Sequence, residues 1–245
     1  MWSEFESAFH ALCAAENRRG ILAAAPLAEV RLLPEQAAYL QTRLEPLRQP
    51  PQAVTAVSLG IAYDIAEIAP IPREWVGRRD SRDRWNEYAM AYHEVNRCLA
   101  GISRTLAERF RGIAEGPTIE GIAGKLSHVT EYFPRCVSHR AVAEVARLGW
   151  RGKHGLIVTP EFGPALRLAT LFLPERLEGP TRMLAGCGEC SACLEICPVL
   201  KKGLREADPN IYRERCRRRI VALGLEANVC GLCVRRCHEA VVGGQ

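Results

Sequence analysis

Residues 187–198 read CGECSACLEICP, and this stretch decides how the rest of the chain is organised. Three cysteines two residues apart, then a fourth followed by proline, form the thiolate pattern of paired iron-sulfur cubanes. Cys187, Cys190 and Cys193 wrap one cluster from a tight turn, while Cys197 points away toward a second. A matching run, CGLCVRRC at 230–237, holds only Cys230, Cys233 and Cys237. Two cubanes need eight thiolates, and Cys216 in YRERCRRRI is the remaining cysteine of this region. The reading therefore places cluster one on Cys187, Cys190, Cys193 and Cys237, and cluster two on Cys197, Cys216, Cys230 and Cys233. Zinc also uses CxxC pairs, but a four-ligand tetrahedral site gives no reason for a triple CxxCxxC ending in CP.

Working outward, the chain has 245 residues and eleven cysteines. Only Cys13, Cys98 and Cys136 precede the cysteine-rich stretch, and they lack CxxC partners, so they are expected to be dispensable for cluster assembly. The expected organisation is a large domain at 1–178 and a ferredoxin-like module carrying two [4Fe-4S] clusters at 179–245. The linker falls in LPERLEGPTRM, residues 173–183. The opening residues carry Glu4 and Glu6 and no basic leader, and no uncharged apolar run reaches membrane-spanning length. A cytoplasmic protein is expected, where clustered cysteines read as metal ligands and not as disulfides. The net charge of +5 comes without an extended basic tract, so neither nucleic acid nor a membrane is expected as a partner.

Helices are expected over 3–17, 34–47 and 138–148, and the apolar residues from Trp85 to Phe110 recur at steps of three and four along one long helix over 84–111. AVTAVSLGIAY, residues 53–63, reads as a buried strand. GLIVTP and PALRLATLFL read as two strands joined by the turn Pro160–Pro164. Strands mixed with long helices give an α+β or α/β layered class.

Over roughly residues 50–237 the chain resembles the epoxyqueuosine reductases and their relatives, corrinoid-dependent iron-sulfur reductases akin to reductive dehalogenases. The resemblance rests on the cysteine runs with Cys216 between them, on ARLGWRGKHGLIVTPEFGP at 146–164, and more weakly on AVTAVSLGIAY and YAMAYHEVNRCL. It implies a nitroreductase-like layered N-terminal domain holding cobalamin, with flavin as the alternative, beside the ferredoxin-like module. An external low-potential donor would supply electrons, passed through the clusters to the corrinoid for reduction of an unidentified substrate. The alternative is a carrier that reduces a corrinoid or flavin on a partner. It also implies that Gly149, Trp150, Gly152, Lys153 and His154 lie near the corrinoid or the nearer cluster, with Tyr92 and His93 on the helix beside it. The family's catalytic aspartate lies about seventeen residues before the tryptophan, where this chain has Phe133. Glu131 and His139 are the candidate replacements as proton donors, and tRNA modification is not expected.

Overall fold

A computed structural model describes residues 1–73, 82–118, 126–180, 185–203, 209–225, 227 and 229–243. Its elements run α1 (Trp2–Ala15), β1 (Gly20–Pro26), α2 (Pro34–Leu44), β2 (Thr55–Ala62), α3 (Ile65–Ile68), α4 (Arg82–Arg109) and β3 (Ile113–Glu115). A 3-10 segment (Val129–Arg135) precedes α5 (His139–Val145), β4 (Trp150–Arg151), β5 (Ile157–Val158) and β6 (Leu166–Leu173). The cysteine-rich part supplies α6 (Ala192–Ile196), α7 (Leu200–Gly203), α8 (Pro209–Leu223) and α9 (Leu232–Val241). The result is a mixed α+β structure.

One antiparallel sheet, ordered β1-β2-β6-β3, forms the middle layer. Every residue of β2 is buried, which is why its sequence is a continuous apolar run and does not alternate. Val57, Leu59 and Ile61 meet Phe5 and Phe9 of α1 and Val95, Leu99 and Leu106 of α4. The opposite face of the sheet carries α5 and α2, through Val142, Leu40 and Leu44 against Ala56 and Phe172. Small residues set that spacing: Ala23 and Ala25 of β1 lie against Ala143 and Ala146.

Three sequence expectations change. GILAAAP is β1, although its alanines favour helix over strand; burial between two layers overrides propensity. The short β3 was not foreseen either. The hairpin expected around Pro160–Pro164 closes on a single bridge, Thr159 to Gly163. β5 instead pairs back on β4, and β6 enters the main sheet between β2 and β3. The expected linker at 173–183 lies partly outside the described residues.

The cysteine-rich part packs directly onto the layered part. Leu223, Val229, Leu232 and Val234 join the same core as Ile71, Trp85 and Tyr88. Among the described residues, no helix is long and apolar enough to cross a membrane.

Candidate redox site

Helix phase distributes the cysteines. On α9, Cys233 and Cys237 stand four residues apart, so one turn, about 6 Å of rise, separates two sulfurs on one side of the helix. Cys193 lies within α6 and Cys197 at its C-cap, where the backbone turns extended. Cys187, Cys190, Cys193 and Cys237 line one cavity together with Trp150, His154, Val158 and Pro160. Cys197, Cys216, Cys230 and Cys233 line a second cavity. Burial pushes the Cys216 thiol up to about 12, with Cys230 and Cys197 beside it adding to the rise. Burial and the neighbouring Cys193, Cys187 and Cys190 push Cys237 up to about 12 as well. Such thiols are poor free nucleophiles but good cluster ligands, because iron displaces their protons.

The spacing of the sulfurs bears on the metal. Among the described residues, no three of these cysteine sulfurs approach within 4.8 Å of one another. A tetrahedral zinc site with bonds of about 2.3 Å needs sulfurs about 3.8 Å apart, closer than any three of these sulfurs lie. Cys13, Cys98 and Cys136 are buried and belong to neither sulfur group, although Cys136 lies in the wall of the second cavity.

The glycine-tryptophan segment lies beside the first group of cysteines. Its β4-β5 hairpin is tight because Gly149 has no side chain: a Cβ there would lie 2.2 Å from the Val158 carbonyl oxygen. The Lys153 ammonium donates to the carbonyl oxygens of Gly188 (2.8 Å) and Cys190 (3.0 Å), holding the first cysteine loop. Trp150 and His154 line that cavity, and Gly152 lies against the His154 ring. Cys190 is exposed, which leaves this end open to a partner in solution.

The second cavity lies between the sheet and the second group. Its wall includes Tyr63, Tyr88, Tyr92, Tyr132 and Phe133, with Arg140, Arg167, Arg213 and Arg219. No carboxylate is among its described lining residues. Arg167 rises from β6 and is fixed by Asn96 Oδ1 (2.7 Å) and the Thr118 carbonyl (2.7 Å), with its guanidinium 4.5 Å from the Tyr92 ring centre. Sequence reasoning singled out Tyr92 but missed Arg167, Tyr63, Tyr88 and Tyr132 as residues of this wall. A lone arginine inside the otherwise apolar LRLATLFL was the available signal.

The other singled-out residues fall as follows. Tyr92 lines the second cavity and donates to the Thr118 carbonyl at 3.1 Å, whereas His93 is exposed on α4 and lines neither cavity. Glu131 is exposed and accepts from the Ser127 hydroxyl and the His128 amide, capping the 3-10 segment. The Ser127 hydroxyl holds its carboxyl below the usual range. His139 lines the cavity but is committed at both nitrogens, donating from Nε2 to the Gly116 carbonyl (2.9 Å) and accepting at Nδ1 from the Thr170 hydroxyl (2.9 Å). Burial lowers it to about 4, so it is neutral at pH 7. Protonation must then cost folding energy: the stabilisation is complete above the unfolded value of about 6.5 and is lost as pH falls toward 4. Denaturant titrations should show about 3 kcal/mol lost across that window, and His139→Gln should flatten the slope.

No protein-family model matches the chain. The epoxyqueuosine reductase of Lactococcus garvieae is 33% identical over 178 residues, covering 72% of this chain and 46% of its own. That of Listeria monocytogenes is 31% identical over 150 residues, covering 61% and 35%. The chain thus spans less than half the length of these curated relatives. Among solved structures, Streptococcus thermophilus epoxyqueuosine reductase matches with a TM-score of 0.41 at 16% identity, over 80% of this chain and 52% of that one. An epoxyqueuosine reductase with an epoxyqueuosine-modified tRNA stem loop matches at 0.37 and 18% identity, over 80% and 52%.

Two expectations are corrected by these findings. A protein whose electrons end on a corrinoid, its own or a partner's, with no identified substrate, does not describe relatives named as reductases of epoxyqueuosine. Nor does the exclusion of nucleic acid stand, since such a reductase is known with a tRNA stem loop. A net charge averages over the whole chain and does not show that Arg140, Arg167, Arg213 and Arg219 share one cavity wall.

Proposed function

We propose that this epoxyqueuosine reductase-like chain is an iron-sulfur reductase acting on an epoxide-bearing modified nucleoside carried on tRNA. The observation that carries the reading is that Cys197, Cys216, Cys230 and Cys233 share one cavity wall with the tyrosines and arginines. An electron source and a substrate pocket are then the same space. In this reading each cysteine group holds one [4Fe-4S] cluster, within a nitroreductase-like part at 1–178 and a ferredoxin-like part at 179–245. Removing an epoxide oxygen takes two electrons and two protons and yields an alkene and water, and two clusters store those two electrons. An external donor would deliver them at the exposed Cys190 end, one cluster removed from the pocket.

The wall suits such a substrate. Its aromatic rings offer stacking surfaces for a base, and arginines without carboxylates favour a polyanion. Its proton-bearing groups include the phenols of Tyr63, Tyr88 and Tyr132 and the Cys136 thiol. The same wall fits cobalamin as an accessory cofactor, with tyrosine faces for the flat ring and Arg140 and Arg167 for its polar edge. When bound, that cofactor supplies reduction at cobalt.

Incubating anaerobic, cluster-loaded protein and a low-potential donor with an epoxyqueuosine-bearing tRNA stem loop should give the deoxygenated nucleoside by mass spectrometry. Binding of the stem loop should weaken as salt rises. Fully loaded protein that binds no RNA and forms no product would exclude this substrate.

A further inference from the structure

Helix α8 does more than carry Cys216. Arg213, Cys216 and Ile220, at steps of three and four, line the second cavity. On the neighbouring stripe, Glu214 and Arg217 form a bidentate pair at 2.8 and 2.6 Å, with side chains only 8% and 10% exposed. Both then reach across to another segment. The Arg217 guanidinium donates to the carbonyls of Leu126 (3.1 Å) and Ser127 (3.0 Å), and Glu214 accepts from the Val129 amide (3.0 Å). That segment leads into the 3-10 turn, its extended C-cap and the start of α5, which place Phe133, Cys136 and His139 in the cavity wall.

A buried ion pair is a poor way to gain stability, because an apolar pair of similar volume does as well or better. What a directional pair provides is register between two elements. We propose that Glu214 and Arg217 are positioning residues that clamp the cavity wall at 126–139 to the cluster-two helix, so that loss of cluster two loosens the wall. The proposal rests on the reading that Cys216 binds iron. Cys216 itself does not contact 126–129 in any hydrogen bond, so an effect of its loss on that segment must travel through α8.

Amide hydrogen exchange on the full chain tests this, with iron measured on each sample. In the otherwise native protein, Cys216→Ala should halve the iron and speed exchange across 126–139 by about tenfold, the size of a typical coupling. Amides of β2 and β6 should stay protected. In a Glu214→Leu, Arg217→Met background the wall should already exchange faster, and adding Cys216→Ala should change it by no more than about twofold. Should that background fail to fold, Arg217→Lys keeps the charge, loses the fork, and serves in the same comparison. Equal acceleration in both backgrounds, or none in the native one, overturns the clamp. Full iron in Cys216→Ala overturns the ligand reading instead, whatever the exchange shows.

Discussion

Cys216→Ala is expected to lower the iron of anaerobically prepared protein from about eight to about four per chain, the content of one cubane. The retained cluster should be that of Cys187, Cys190, Cys193 and Cys237, which line a cavity apart from Cys216. No spare ligand is at hand: among the described cysteines, only Cys136 shares the second cavity outside the group, and its thiol is pushed up by burial and engaged by Gln36 at 3.8 Å. Cys136→Ser should therefore leave iron unchanged, and a loss there would add Cys136 to the ligands. Electron transfer should fail in Cys216→Ala, since the group in the cavity wall is the one removed.

Gly231→Val should be nearly as damaging without removing any ligand. Gly231 has φ +74°, the left-handed region, and a Cβ there would lie 2.6 Å from both Ile71 and the Tyr88 ring. Ile71 and Tyr88 are buried in the main core, so neither gives way cheaply. A β-branched residue adds a backbone penalty of about 1–2 kcal/mol to an overpacking cost of about 1–3 kcal/mol. Thermal unfolding should register several degrees of loss, and the displaced Cys230 and Cys233 should release cluster two. Gly101→Ala is the control: Gly101 lies within α4, and a methyl added there would meet nothing within 4 Å, so alanine should stabilise by up to about 1 kcal/mol.

The long helix α4 and the buried strand β2 were legible because their signals are local: a stripe at steps of three and four, and a β-branched run between prolines. The division of the cysteines between two cavities follows the run at 187–198, whereas ligation itself stays a proposal. What was not legible depends on distant partners. β1 is a strand only because β2 offers it a full register from Gly20 with Ile61 to Pro26 with Thr55. The segment at 155–173 was misread because its turn looks like a hairpin, while β4 and β2 compete for the two strands and win. The wall, with no carboxylate among its described lining residues, is assembled from Tyr63 just past β2, α4, the 3-10 turn, β6 and α8, so no single stretch announces it.

The central claim, that a redox cluster and a substrate pocket share one wall, is tested most directly by a single turnover. Protein reduced anaerobically and freed of donor is mixed with the epoxyqueuosine-bearing stem loop while the bleached cluster absorbance is followed. The claim predicts that the absorbance recovers at the rate at which deoxygenated nucleoside forms, and that neither signal appears in Cys216→Ala. Product formation with the clusters still bleached, or equal turnover without cluster two, would contradict it.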